Sequence, residues 1–157
     1  MKLSINQITE IQIMIEYVLH ELYEADWRLI KNRTNERAIV FTFGKYFYEL
    51  MKLSSFKGYD LDCEYNRNLG GSKRTQNFPN GVIPDLLIHK RESNVHNVLV
   101  LEFKGYWNTI SRLGDVEKIN DFVNQNSVDN YKYGLGALIE INRVNPKVEY
   151  FIDYTPI

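Results

Sequence analysis

The four residues Val98-Leu-Val-Leu101 are apolar without a break. Successive side chains of a strand point to opposite faces, so a strand built from this run is apolar on both sides. Such a strand belongs at the centre of a sheet covered by other elements on both faces. Directly after it come Glu102 and Lys104, two residues apart around Phe103, so an acid and a base leave the core on one face. Upstream lies a second apolar segment, Val82-Ile-Pro-Asp-Leu-Leu-Ile-His89. An antiparallel hairpin turning at Ser93–Asn94, the most turn-prone pair in the gap, opposes Leu87 to Val100, Leu86 to Leu101 and Asp85 to Glu102. Opposed side chains in a hairpin lie about 4.5–5.5 Å apart, and like charges placed there are unfavourable. Either one carboxyl is protonated with a raised pKa, or a cation sits between them. A divalent metal is one such cation, because Mg²⁺ needs only one or two carboxylates plus water and phosphate oxygens.

The rest of the chain supplies the covering layers. Ser4 and Gln7 read as a capping box, followed by Ile8, Ile11, Ile15, Val18 and Leu22 at helical spacing. A second helix is predicted from Thr34–Asn35 to the Gly58 region, with Glu36 in its first turn and an apolar face of Ile39, Val40, Phe43, Phe47, Leu50 and Met51. A strand from Tyr59 points Leu61, Cys63 and Tyr65 one way and Asp62, Glu64 and Asn66 the other. After the strands from Val82 and Asn97, a third helix spans about Arg112 to Gln125, with Val116, Ile119 and Val123 inward. Tyr133–Ile141 and Val148–Tyr154 read as final strands. The order is ααβββαββ, a mixed α/β sheet flanked by helices, and 157 residues fit one domain, residues 1–157.

Composition narrows the function. The formal net charge of −1 counts against a nonspecific nucleic-acid binder, which is usually basic overall. A local basic patch is still open: Asn66 to Gly81 carries Arg67, Lys73 and Arg74 and no acid. Cys63 is the sole cysteine, so no internal disulfide forms, which fits a reducing, cytoplasmic setting. Neither a signal peptide nor a membrane span of about 18 apolar residues is expected. His20, His89 and His96 have no ligand spacing and read as structural, and Gly70-Gly-Ser-Lys73 lacks the full P-loop pattern.

Pro84–Asp85 followed by Glu102-Phe-Lys104 resembles the motif of the PD-(D/E)XK nuclease superfamily. The context matches too, with the first pair on one strand, the second motif ending the next, and a helix and a strand following. Glu36 matches an acid many members carry in a preceding helix. Glu64-Tyr-Asn-Arg67 and the Asp115/Lys118 pair resemble a subgroup of small, mostly uncharacterised members. The resemblance spans roughly Glu36 to Ile141, leaving the first helix as an N-terminal addition. It implies a restriction-endonuclease-like αβββαβ core and metal-dependent hydrolysis of phosphodiester bonds; DNA is expected as substrate ahead of RNA. Asp85, Glu102 and the Phe103 carbonyl would hold Mg²⁺ or Mn²⁺, and Glu36 would reach a second metal directly or through water. Glu64, on the polar face of its strand, could point at the same metal. Lys104 would orient the attacking water and stabilise the phosphoryl charge. Arg67, Lys73, Arg74, Arg112 and Lys118 are the candidate nucleic-acid contacts. A small domain has few elements left for sequence recognition, so a homodimer or an accessory protein is a candidate partner. The alternative is a non-catalytic nuclease-like fold used as a nucleic-acid-binding or protein-assembly module. Blander readings exist for each residue: a rim ion pair for Glu102 and Lys104, a dipole-favoured first-turn acid for Glu36, and an ordinary i,i+3 pair for Asp115 and Lys118.

Overall fold

The structure, a computed structural model, describes residues 1–153. It begins with helices α1 (Ile5–Ala25), α2 (Trp27–Lys31) and α3 (Glu36–Met51). Strand β1 (Asp60–Cys63) and a short hairpin, β2 (Arg67–Asn68) with β3 (Gly71–Ser72), follow. Then come β4 (Leu86–His89), β5 (Leu99–Gly105), α4 (Leu113–Val123), β6 (Leu135–Ile141) and β7 (Lys147–Phe151). Five strands form one mixed sheet in the order β1-β4-β5-β6-β7. The β5–β6 pair is parallel because α4 carries the chain back across the sheet, and the other pairs are antiparallel.

The helix ends follow local chemistry. Ser4 and Gln7 form the expected capping box, and the Asn35 side chain caps α3 through the Arg37 N–H. α3 stops at Met51, short of Gly58, and passes into a series of turns. The short α2 has no counterpart in the expected order.

The sheet separates two cores. On one face α1 and α3 bury Ile11, Ile15, Phe43 and Phe47 against Leu86, Ile88, Leu99, Leu101 and Phe103. On the other, Ile119, Phe122 and Val123 of α4 cover Leu87, Val100 and Leu138. Gly136 makes the α4 approach possible, since a Cβ there would lie 2.3 Å from Ile119 Cγ2. Val98, expected beside Val100, packs with the α1/α3 core instead. It lies just ahead of β5, where strand alternation has not begun.

The hairpin register is the expected one: Leu86 pairs with Leu101, Leu87 with Val100 and Ile88 with Leu99. The connection does not turn at Ser93–Asn94; Ser93 N–H donates to Lys90 O (3.3 Å) and Glu92 takes φ 60°. Of the strand expected from Val82, only its last four residues enter the ladder. Pro84 has no N–H to give, and Val82 N–H donates to Lys73 O (3.0 Å). β1 ends at Cys63 because Glu64 adopts φ 50°. That left-handed residue breaks the alternation and turns Tyr65 onto the α4 face, against His89 (ring centroids 4.9 Å apart). Tyr65 therefore does not share a face with Cys63, whose Sγ faces Gly44 of α3. The last expected strand reaches Tyr154, which lies outside the described residues.

Candidate active site

The register brings the charged residues to one end of the β4–β5 hairpin. Leu87 and Val100 pack under α4. Glu102, within β5, and Asp85, one residue ahead of β4, each lie two residues from Val100 and Leu87 respectively, where strand alternation returns to that same face. Asp85 Oδ2 accepts the Phe103 backbone N–H at 2.7 Å. This bond continues the ladder one step past the last paired residue, with a carboxylate in place of a carbonyl. Glu102 is 1% exposed, and its Oε2 accepts from Lys118 Nζ of α4. Its Oε1 is buried with no hydrogen-bond partner. Lys118 Nζ also lies 3.1 Å from Asp115 Oδ1, while Lys104 Nζ lies 3.3 Å from Asp115 Oδ2. The second contact is ionic only, because Asp115 Oδ2 makes no hydrogen bond.

Three carboxylates, Asp85, Glu102 and Asp115, thus face two ammonium groups, Lys104 and Lys118. Burial pushes Asp85 up to about 6, reinforced by Asp115 and Glu36 and opposed by the Phe103 N–H and Lys118. Burial, together with the Asp85 charge, drives Glu102 well above the usual carboxylate range, with Lys118 opposing. For Lys118, burial works downward, but Glu102, Asp115 and Asp85 outweigh it and hold the ammonium above its ordinary value. With all three carboxyls ionised the acids outnumber the ammonium groups by one, and the raised pKa values of Asp85 and Glu102 oppose that state.

Glu36 reaches the same end of the sheet from α3. Its Oε1 accepts the Gly105 N–H (2.6 Å), and Asn108 Nδ2 donates to both its oxygens (3.0 and 2.9 Å). Asn108 was not apparent from the sequence, since a lone loop Asn carries no signal until the α3–β5 packing is known. Glu64 does not turn toward Glu102. Its backbone twist brings its Oε1 to 2.5 Å from Arg37 Nε, and both line a cavity of about 150 Å³ that Asp85 borders.

The candidate nucleic-acid contacts are scattered. Arg67 and Arg74 are exposed. Lys73 is not a surface cation: it is 3% exposed, donates to Arg67 O at 2.6 Å, and lies 4.5 Å from the Tyr65 ring centroid. The Asn66–Gly81 segment that carries these cations is docked on the α4 side, where Thr75 and Asn77 donate to Asp121 (2.5 and 2.8 Å). Arg112 pairs with Glu140 (3.2 Å) and Glu149, and Lys118 with Glu102 and Asp115, so neither is a free phosphate contact. His89 is structural: its Nε2 lies 2.9 Å from Asp62 Oδ2, and Arg91 holds the same carboxylate.

Among the described residues, no three His, Cys, Asp or Glu side chains converge as a ready-made metal site. Two carboxylates suffice for Mg²⁺ when water and substrate complete the shell. The unpartnered, buried Glu102 Oε1 beside Asp85 is the donor such an ion would take up. No helix of the described residues is long and apolar enough to cross a membrane. Comparison with known proteins yields no match to a family model, a curated protein or a solved structure.

Proposed function

We propose that this chain is a metal-dependent nuclease with a PD-(D/E)XK-type core, hydrolysing phosphodiester bonds, with DNA the first substrate to test. One observation carries the reading: Asp85 and Glu102 are adjacent at the end of a rigid hairpin, the Glu102 Oε1 is buried without a partner, and Lys104 follows on the same face. Burying opposed carboxylates destabilises a fold, and such clusters concentrate at functional sites.

Asp85 and Glu102 would hold Mg²⁺ or Mn²⁺, with the Phe103 carbonyl between them and Glu36 at the margin. The ion would supply Lewis-acid charge at the phosphoryl oxygens and a lowered pKa for water. The chain's own residues do the positioning. The Phe103 N–H fixes the Asp85 carboxylate at 2.7 Å. Glu36 and Asn108 fix the backbone at Gly105, one residue beyond Lys104. Lys104, with its side chain 11% exposed, presents an ammonium at the mouth of the cluster, where it can orient water and stabilise developing phosphoryl charge.

A second reading, a nuclease-like module that binds or assembles without cleaving, is favoured by Lys118, whose ammonium lies on Glu102 where a metal would bind. Calorimetric titration with Mg²⁺ and Mn²⁺ separates the two, followed by incubation with linear, circular, single-stranded and branched DNA and with RNA. Metal binding that Asp85→Asn abolishes, with cleavage lost in Lys104→Ala, supports the nuclease. Absence of metal affinity, even with nucleic acid present, rejects it in favour of the module.

A further inference from the structure

β5 leads from the charged cluster directly into a second site. Beyond Lys104, a recess of about 180 Å³ is lined by Lys104, Tyr106, Asn108, Arg112 and Glu140, among others. Tyr106 forms the partition between it and a larger pocket of about 330 Å³, whose other walls are Tyr23, Trp27, Ile30, Lys31, Arg33 and Arg143. Three aromatic side chains and three cations line this pocket, with no acid among them. The Arg33 and Arg143 guanidinium carbons lie 5.6 and 5.3 Å from the Tyr106 ring centroid, and Lys31 Nζ lies 4.7 Å from that of Trp27. Among the described residues, Lys31, Arg33 and Arg143 have no carboxylate partner, in contrast to Arg37, Arg91 and Arg112. Arg33 and Arg143 also approach the Tyr106 hydroxyl, and with no acid in this solvent-exposed concavity the three cations leave room for an anion to relieve their mutual repulsion. Aromatic walls add a preference for a flat ring, and arginines beside them serve both the ring and a phosphate.

We propose that this pocket docks one unstacked nucleotide of a single-stranded nucleic-acid segment, base against Trp27 and Tyr106 and phosphate on Arg33 and Arg143. The strand would pass Tyr106 to present the neighbouring phosphodiester to Lys104. The proposal rests on the nuclease reading for the direction of the strand, and names its substrate class: single-stranded or locally frayed nucleic acid. A phosphopeptide would use the same cations but leave the aromatic walls without a matching ring.

The test is binding of a fluorescein-labelled single-stranded oligonucleotide in EDTA, followed by anisotropy, so that no cleavage is needed. Replacing both Arg33 and Arg143 with Ala is expected to weaken binding at least tenfold and to reduce the salt slope by about 1.4, at about 0.7 per phosphate contact on a single strand. Trp27→Leu is expected to weaken it about tenfold through lost stacking. Lys57→Ala, an exposed lysine outside the pocket, is expected to leave it unchanged. With wild-type protein, an abasic oligonucleotide of the same length should bind several-fold more weakly. Equal affinity of the pocket variants overturns the proposal, as does equal affinity for the abasic strand or competition by a phosphoserine peptide at the oligonucleotide's own concentration. If no metal binding or cleavage is found but the pocket variants lose binding, the nuclease reading fails and the pocket stands. If cleavage occurs and the variants bind and cleave as wild type does, the pocket fails and the nuclease reading stands.

Discussion

The Asp85 carboxylate accepts the backbone N–H of Phe103 at 2.7 Å, so a side chain does the work of a strand carbonyl at the end of the β4–β5 ladder. Two substitutions separate the charge from the hydrogen bond. Asn keeps an oxygen acceptor without the buried charge, so Asp85→Asn should leave the metal-free protein as stable as wild type or more so. Asp85→Leu strands the Phe103 N–H and should cost about 1–3 kcal/mol. Urea denaturation in EDTA checks both, and equal loss in the two variants would contradict this account.

Glu102 and Lys118 are coupled across the β5–α4 interface. Lys118→Met leaves an uncompensated carboxylate that is 1% exposed. It should destabilise by about 3–5 kcal/mol, the usual range for removing one partner of a buried pair. Adding Glu102→Gln should recover a large part of that loss. The double-mutant cycle, measured by denaturant unfolding, should show a coupling above about 1 kcal/mol; additive effects would mean that the pair is not coupled.

Lys104 behaves differently because its contact with Asp115 is ionic and lies at the mouth of the cluster. Both side chains are largely buried (11% and 17% exposed), so Lys104→Ala should destabilise by about 1–3 kcal/mol, with Lys118 still facing Asp115. Under the proposed function it should lower cleavage at least about a hundredfold, the scale of losing one charge-stabilising donor. Melting temperature and cleavage rate on one preparation test this together.

Lys73 gives the fold a pH dependence. Burial holds its ammonium down to about 8, with Asp62 pulling weakly upward, against an ordinary value of 10.5. The unfolded chain therefore binds more protons between about pH 8 and 10.5, and stability contributed here rises with pH across that window. Lys73→Met should remove the rise. At pH 7, where wild type must carry the desolvated charge, the variant should be the more stable, by up to roughly 3 kcal/mol at 1.36 kcal/mol per unit. Melting curves of both proteins from pH 7 to 10 measure the difference, which should shrink as pH rises.

Gly136 sets the spacing of α4 on the sheet, since a Cβ there would lie 2.3 Å from Ile119 Cγ2. Gly136→Ala should destabilise by about 1–3 kcal/mol through overpacking. The combination with Ile119→Val should recover part of it, read by thermal unfolding.

The amino-acid sequence determined the hairpin register by itself. Through a gap centred on Ser93–Asn94 it set Leu86 opposite Leu101 and Leu87 opposite Val100, as observed, although the tight turn itself forms at Lys90–Ser93. It likewise determined the cap at Ser4 and the start of α3 at Asn35, because capping is local chemistry. The neighbourhood of Asp85 and Glu102 followed from that register. What surrounds the pair was decided by tertiary packing. Lys118, legible only as a helical neighbour of Asp115, meets Glu102 because α4 crosses β5 closely, which Gly136 permits. Asn108 meets Glu36 because α3 begins against Gly105 of β5. Lys73 is buried because its loop is docked by Asp121, and Glu64 turns to Arg37 because its backbone adopts a left-handed φ that alternation cannot foresee. Periodicity and caps are properties of neighbouring residues, whereas the partner of a charge depends on which elements meet, and only the packed sheet and helices set that.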